Sequence, residues 1–159
     1  MQKEVSSMNG SSLTQGTLIE TLLPKDTNAA GHIFGGVVMS LMDKTSAVAA
    51  IRYCKKRVVT ASADQITFHT PIFVGEVLKS TASVIYSGKT SLDLEIIVEV
   101  ENIFDGSIRK GASGYFTMVA VDEMGKPSPI PPFQPDDALS WEKYNQAQAR
   151  RESKGLKKE

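Results

Sequence analysis

HIFGGVVMSLMDK, residues His32 to Lys44, sets two adjacent glycines before a nearly unbroken apolar run in which the first carboxylate is Asp43. From about Gly35 to Tyr53 the spacing predicts a helix. Its Val, Met, Leu and Ala residues fall on almost every side, the pattern of a helix enclosed by the fold. Asp43 is the anomaly, because a carboxylate on an enclosed helix is costly unless it is paired or used. It either marks an exposed edge, with Lys44 beside it turned to solvent, or carries chemistry.

Working outward, PKDTNAAGHIFGG (24–36) is rich in Pro, Asp, Asn and Gly and predicts a loop. Before it, TLIETLL (17–23) predicts a short first strand. After the helix the apolar period switches from 3.6 to 2. VVTASADQITFH (58–69) and EVLKSTASVIYS (76–87) are β-branched and strand-like. In TSLDLEIIVEVEN, Leu92, Leu94, Ile96, Val98 and Val100 alternate with Asp93, Glu95, Glu99 and Glu101, which predicts one buried and one wet face. IRKGASGYFTMVAVD (108–122) is the last strand, with Gly111 and Gly114 marking a bulge or bend. The links SGKT and FDGS are hairpin-sized, so the strands are expected to be sequential and antiparallel. One long apolar helix followed by such strands predicts an α+β fold, an antiparallel sheet wrapped around the helix.

The expected organisation is a flexible arm at 1–14, one domain at 15–133 and a C-terminal helical tail at 134–159. In the tail, Trp141 and Tyr144 provide packing and RRESKGLKKE forms a basic end. With 41% hydrophobic and 23% charged residues the chain is of ordinary globular composition. Zero formal net charge argues against a nucleic-acid or membrane-surface partner. The N-terminal stretch has no signal-peptide apolar core, and no run reaches the ~18 residues that span a bilayer. One cysteine and two separated histidines predict neither a disulfide nor a metal centre. A cytoplasmic protein is expected.

Gly35 and Gly36 fall where the helix should begin. Unpaired N–H groups and a partial positive charge there are suited to polarising a carbonyl and holding an oxyanion. Close packing against the sheet is the plainer explanation of two glycines. Asp43 lies eight residues beyond Gly35, about 12 Å along the axis at ~1.5 Å per residue. One helix therefore cannot bring both groups to one carbonyl. Two helices related by a two-fold axis can, so a catalytic pair would require at least a dimer. Asn28, in the loop before the helix, either orients a water or carbonyl or forms an Asx turn. His32 and His69 are expected to be structural, and Cys54 an ordinary thiol. SGKTS (Ser87, Gly88, Lys89, Thr90, Ser91) is not a P-loop: Ser83 stands where the first glycine belongs, and a strand follows. Such a turn can still hold a phosphate through N–H groups and one cation, or simply be a solvated hairpin.

Together, Asn28-x-x-Gly31-x-Ile33-Phe34-Gly35-Gly36, Met42-Asp43, VVTASADQITFHTPIFVGE and SGKTS resemble the hotdog-fold acyl-CoA thioesterases. The match is to the branch of YciA-type and cytosolic long-chain acyl-CoA hydrolases, over residues 15–133. The resemblance implies hydrolysis of acyl-CoA to a free acid and CoA, with no metal or separate cofactor. It also implies a dimer with shared sites, and related enzymes assemble into hexamers as trimers of dimers. Carried across, Asp43 matches the helix carboxylate acting as base or nucleophile, and Asn28 the loop amide of the opposite subunit. Gly35 or Gly36 matches the N–H that polarises the thioester, and Ser87 to Ser91 the turn beside the CoA phosphates. The resemblance also implies a hydroxyl about one turn beyond the acid; Ala47 occupies that place, with Thr45 and Ser46 adjacent. Without catalysis, the same fold would be an acyl-CoA sensor. A dehydratase would want a histidine on the helix, and a purely structural module would leave Asp43 and Asn28 dispensable.

Overall fold

Runs of β-branched residues broken by short polar turns favour an antiparallel meander, and the last three strands follow it, while the strand after the helix pairs with the last strand rather than with its successor. The computed structural model describes residues 14–155. In chain order these form β1 (Gln15–Thr21), a 3-10 turn (Pro24–Asp26), α1 (Gly35–Cys54), β2 (Arg57–Phe68), β3 (Val77–Ser87), β4 (Ser91–Glu101), β5 (Ile108–Val121) and α2 (Ala138–Ser153). Residues 1–13 of the expected arm and the last four residues of the tail lie outside the described residues. All neighbours pair antiparallel in the order β1-β3-β4-β5-β2, which leaves β1 and β2 at the edges.

The sheet curls around α1, which touches all five strands. Val38, Leu41, Met42, Thr45 and Ala49, three or four apart, form the stripe of α1 buried in the core. They share that core with Leu92, Leu94, Ile96, Val98 and Val100 of β4, all fully buried. Each such aliphatic side chain contributes about 1.5–3 kcal/mol by leaving water. Gly16 allows β1 to cross the helix closely: a Cβ there would stand 2.8 Å from the backbone nitrogen of Ala49.

Three expectations change. The first strand ends at Thr21 rather than Leu23, because Leu22 turns into the core and the Leu23 N–H is drawn to Asp26 Oδ2 at 2.9 Å. The helix is not enclosed on every side, since Met39 and Ile51 are exposed in the single chain. The outer face of β4 is not uniformly wet, because α2 covers its first half and buries Asp93. The bend expected at the glycines is present. Gly111 is the extra residue at the β4–β5 register shift, and Gly114 lies opposite the β2 irregularity between Asp64 and Thr67.

The tail returns across the molecule. Tyr144 packs on Tyr86 with ring centroids 4.9 Å apart, while Trp141 is half exposed and meets Tyr144 in a T-shaped contact. Arg150 covers the Tyr115 ring, and Lys143 and Lys154 pair with Glu95 and Asp64. No helix among the described residues is long and apolar enough to cross a membrane.

Candidate active site

The start of α1 is held by backbone rather than side chains. Ile33 N–H donates to Ile72 O at 2.8 Å, and Phe34 N–H to Asp26 O at 2.8 Å. Phe34 caps the helix without a side-chain hydrogen bond, and no acid stands in its first turn. The N–H groups of Gly35 and Gly36 therefore have no acceptor among the described residues, and the positive end of the helix dipole is uncompensated. A Cβ on Gly35 would lie 3.2 Å from the Phe68 ring, so this glycine also serves the close packing that sequence alone allowed.

The two glycines separate. Gly35 lines a cavity of about 440 Å³ with Asn28, His32, Val38, His69 and Ile72. Gly36 borders a different hollow, with Phe34, Ser40 and Lys44. Asn28 adopts the Asx turn: its Oδ1 accepts from Ala30 N–H at 2.9 Å and His32 N–H at 3.2 Å. That fixes the amide plane and leaves Nδ2 without an acceptor among the described residues. The His32 ring meets Phe73 edge-on at 5.2 Å, and His69 Nε2 pairs with Ser113 Oγ at 2.8 Å. Cys54 is buried, its Sγ 3.8 Å from Lys56 O.

The loop that walls this cavity is clamped by one ion pair. Arg109 donates from Nη1 and Nη2 to the Glu76 carboxylate at 2.7 and 2.8 Å, from Nη2 to Pro71 O at 2.9 Å and from Nε to Thr70 Oγ1 at 3.2 Å. Glu76 also accepts the Phe73 N–H at 2.9 Å. The Arg109 hydrogen bonds hold the Glu76 carboxyl below its ordinary range, outweighing the opposing effect of burial.

Asp43 is half-buried and does not line the cavity of Asn28 and Gly35, in keeping with the helix arithmetic. It faces edge strand β2, where Thr60 Oγ1 donates to Asp43 Oδ1 at 2.5 Å and stands 3.4 Å from Met118 Sδ. A hydroxyl partner was expected from the helix itself. Instead Thr45 and Ser46 spend their hydroxyls on Leu41 O and Met42 O, at 2.6 and 2.8 Å, and are fully buried. Thr60 was missed because no local pattern links positions 17 apart on a helix and a strand; only their packing brings them together.

The Ser87–Ser91 turn is partly occupied by the chain's own C-terminal segment, residues Phe133 and Arg151. Ser87 Oγ accepts the Phe133 N–H at 2.6 Å, and Ser91 Oγ meets Arg151 Nη2 at 3.0 Å. Gly88 N–H closes the hairpin on Ser91 O at 2.8 Å. Lys89 remains exposed.

Chemically, the chain offers an oriented carboxylate at one sheet edge and, beyond its reach, Gly35 and Asn28 lining one cavity. Residues 30–103 match the sequence model of the Thioesterase superfamily. Over 144 residues the chain is 33% identical to the cytosolic acyl coenzyme A thioester hydrolase of Mus musculus, an alignment covering 89% of this chain. The match spans only 38% of the length of that mouse relative. A crystal structure of an apo-hexameric acyl-CoA thioesterase superposes with a TM-score of 0.85 at 34% identity, over 90% of this chain and 92% of the other. The acyl-CoA hydrolase of Staphylococcus aureus, solved with butyryl coenzyme A, coenzyme A and coenzyme A disulfide, gives 0.82 at 31% identity, over 91% and 88%.

Proposed function

The chain belongs to the hotdog-fold acyl-CoA thioesterases, and from that premise we propose that it hydrolyses acyl-CoA to a free acid and CoA at sites shared between two copies. The observation that carries the proposal is the Asp43–Thr60 hydrogen bond of 2.5 Å at the exposed edge strand β2. A carboxylate oriented there, away from its own helix N-terminus, supports a site completed by a second chain. Edge strand β2, twelve residues long with Val59 and Phe68 exposed, is a surface suited to pairing with its own copy. The apo-hexameric relative supports assembly into a hexamer, which would be a trimer of such dimers.

In this mechanism Asp43 of one protomer acts as general base on a water that attacks the thioester carbon, or attacks that carbon itself to form a mixed anhydride that water then hydrolyses to the free acid. Gly35 N–H of the other protomer polarises the carbonyl and stabilises the developing oxyanion. Asn28, its Oδ1 engaged in the loop, presents Nδ2 to substrate or water. The C–S bond breaks and the sulfur leaves as the CoA thiolate, which takes up a proton. Ser87 to Ser91, with Lys89, hold the CoA phosphates. A thioester is already activated, so these groups and the exclusion of bulk water suffice as chemistry. The name of the mouse relative supports a cytoplasmic setting.

Thiol release from a panel of acyl-CoAs tests this. Asp43→Ala should lose at least ~100-fold in turnover, the lower range for an acid–base group. Undiminished turnover would remove Asp43 from the mechanism, whereas CoA binding by a wild-type protein without turnover would favour a sensor. Mixing inactive Asn28→Ala and Asp43→Ala subunits should restore part of the activity, because mixed dimers hold one intact site. No recovery despite demonstrated subunit exchange would refute the shared geometry.

A further inference from the structure

The Ser87–Ser91 turn is gripped from three directions. The segment before α2 takes the Lys89 carbonyl through Ile130 N–H at 2.9 Å and the Ser87 hydroxyl through Phe133 N–H at 2.6 Å. Strand β5 takes the Thr90 carbonyl through Ala120 N–H at 2.9 Å. From α2, Arg151 reaches Ser91 Oγ at 3.0 Å, and its Nη1 stands 3.1 Å from where a Cβ on Gly88 would be.

Arg151 is itself rigidly held. It pairs with Asp93 through Nε at 2.6 Å and Nη2 at 2.9 Å, and its guanidinium lies over the Tyr86 ring at 4.6 Å. Asp93 also accepts from Thr117 Oγ1 at 2.8 Å. The Arg151 and Asp93 side chains are only 13% and 10% exposed. A bidentate pair so shielded from water defines position as well as charge. At the turn, the Ile130 and Ala120 N–H groups engage the Lys89 and Thr90 carbonyls, which would repel an anion, while the Lys89 and Thr90 N–H groups have no acceptor among the described residues. Paired donors beside the Lys89 ammonium make an anion cradle.

We propose that Arg151, locked by Asp93, is a positioning residue through which the C-terminal helix sets the Ser87–Ser91 turn in its phosphate-binding shape. The proposal rests on the acyl-CoA reading only in naming CoA as the phosphate-bearing ligand. The tail is thereby part of substrate recognition, although Arg151 contacts the turn and not the reacting atoms.

The test compares CoA with pantetheine, which keeps the thiol arm and lacks the nucleotide and its phosphates. In calorimetry on the full chain, Arg151→Ala should weaken CoA binding on the order of tenfold, the effect of losing one charge-assisted positioning hydrogen bond. Pantetheine binding should stay within twofold on the same scale. Arg151→Lys, which keeps the cation beside Asp93, should recover part of the CoA affinity. With an acyl-CoA substrate the same loss should appear in KM, with kcat preserved. Equal weakening of CoA and pantetheine, or unchanged CoA affinity, would overturn the assignment. Should Arg151→Ala not fold, the double variant Asp93→Leu with Arg151→Met removes both buried charges together and carries the same comparison. Binding is read without turnover, so failure of the hydrolase reading and failure of this one are separate results.

Discussion

Replacing Thr60 by valine exchanges the hydroxyl for a methyl of similar size, so no cavity opens beside Met118, although the weak 3.4 Å contact with Met118 Sδ goes as well. The lost interaction is the 2.5 Å bond to Asp43, within the short range of a hydroxyl donating to a carboxylate. Hydrogen bonds to charged groups contribute about 1.5–3 kcal/mol. At 1.4 kcal/mol per decade that is roughly a 10- to 150-fold range. Thr60 is exposed in the single chain, where water competes for the carboxylate. The lower part of the range applies there, and the upper part once a second chain covers β2. The expected result for Thr60→Val is therefore a fall in kcat of about 10- to 100-fold. KM should change little, and the loss of stability should not exceed the lower part of that range, because water reaches the carboxylate in the single chain. Thr60→Ser should keep most of the activity. The assay is free-thiol release under saturating acyl-CoA, with the unfolding midpoint measured in parallel. A kcat for Thr60→Val within twofold of wild type would refute the claim that Thr60 orients a catalytic Asp43.

Two further outcomes follow from the packing. Arg109 depresses the Glu76 carboxyl in the folded protein, so the clamp's contribution is present above the unfolded carboxyl value of about 4.3 and is lost as pH falls through the lower folded value. Urea midpoints should fall more steeply below about pH 4.5 in wild type than in Glu76→Gln; parallel pH profiles would exclude this clamp as a source of acid sensitivity. Gly16→Ala should destabilise by about 1–3 kcal/mol, because its new Cβ meets the Ala49 backbone nitrogen, which cannot move aside. Gly114→Ala should be milder, since its nearest contact is the far end of the Ile66 side chain. A scan ranking the two in reverse order would contradict the close approach of β1 to the helix.

The sequence by itself determined what depends on near neighbours in the chain. The switch of apolar period at the end of α1 specified helix then sheet, and hairpin-length links made the strands antiparallel. The distance from Gly35 to Asp43 along one helix excluded a site built within a single helix. The Asx turn of Asn28 also belongs to this class, because its acceptor and donors lie within four residues. Tertiary structure decided what joins distant positions. Thr60 reaches Asp43 because β2 closes the sheet over one side of α1. Gly35 and Gly36, indistinguishable as letters, open into different hollows because the end of β2 packs against only the first. Asp93 reads as one acid in an alternating solvent face, yet it is buried because Arg151, 58 residues later, is carried onto it by α2. Alternation reports which face of a strand a residue occupies; whether water or another element covers that face is settled only when the chain folds back.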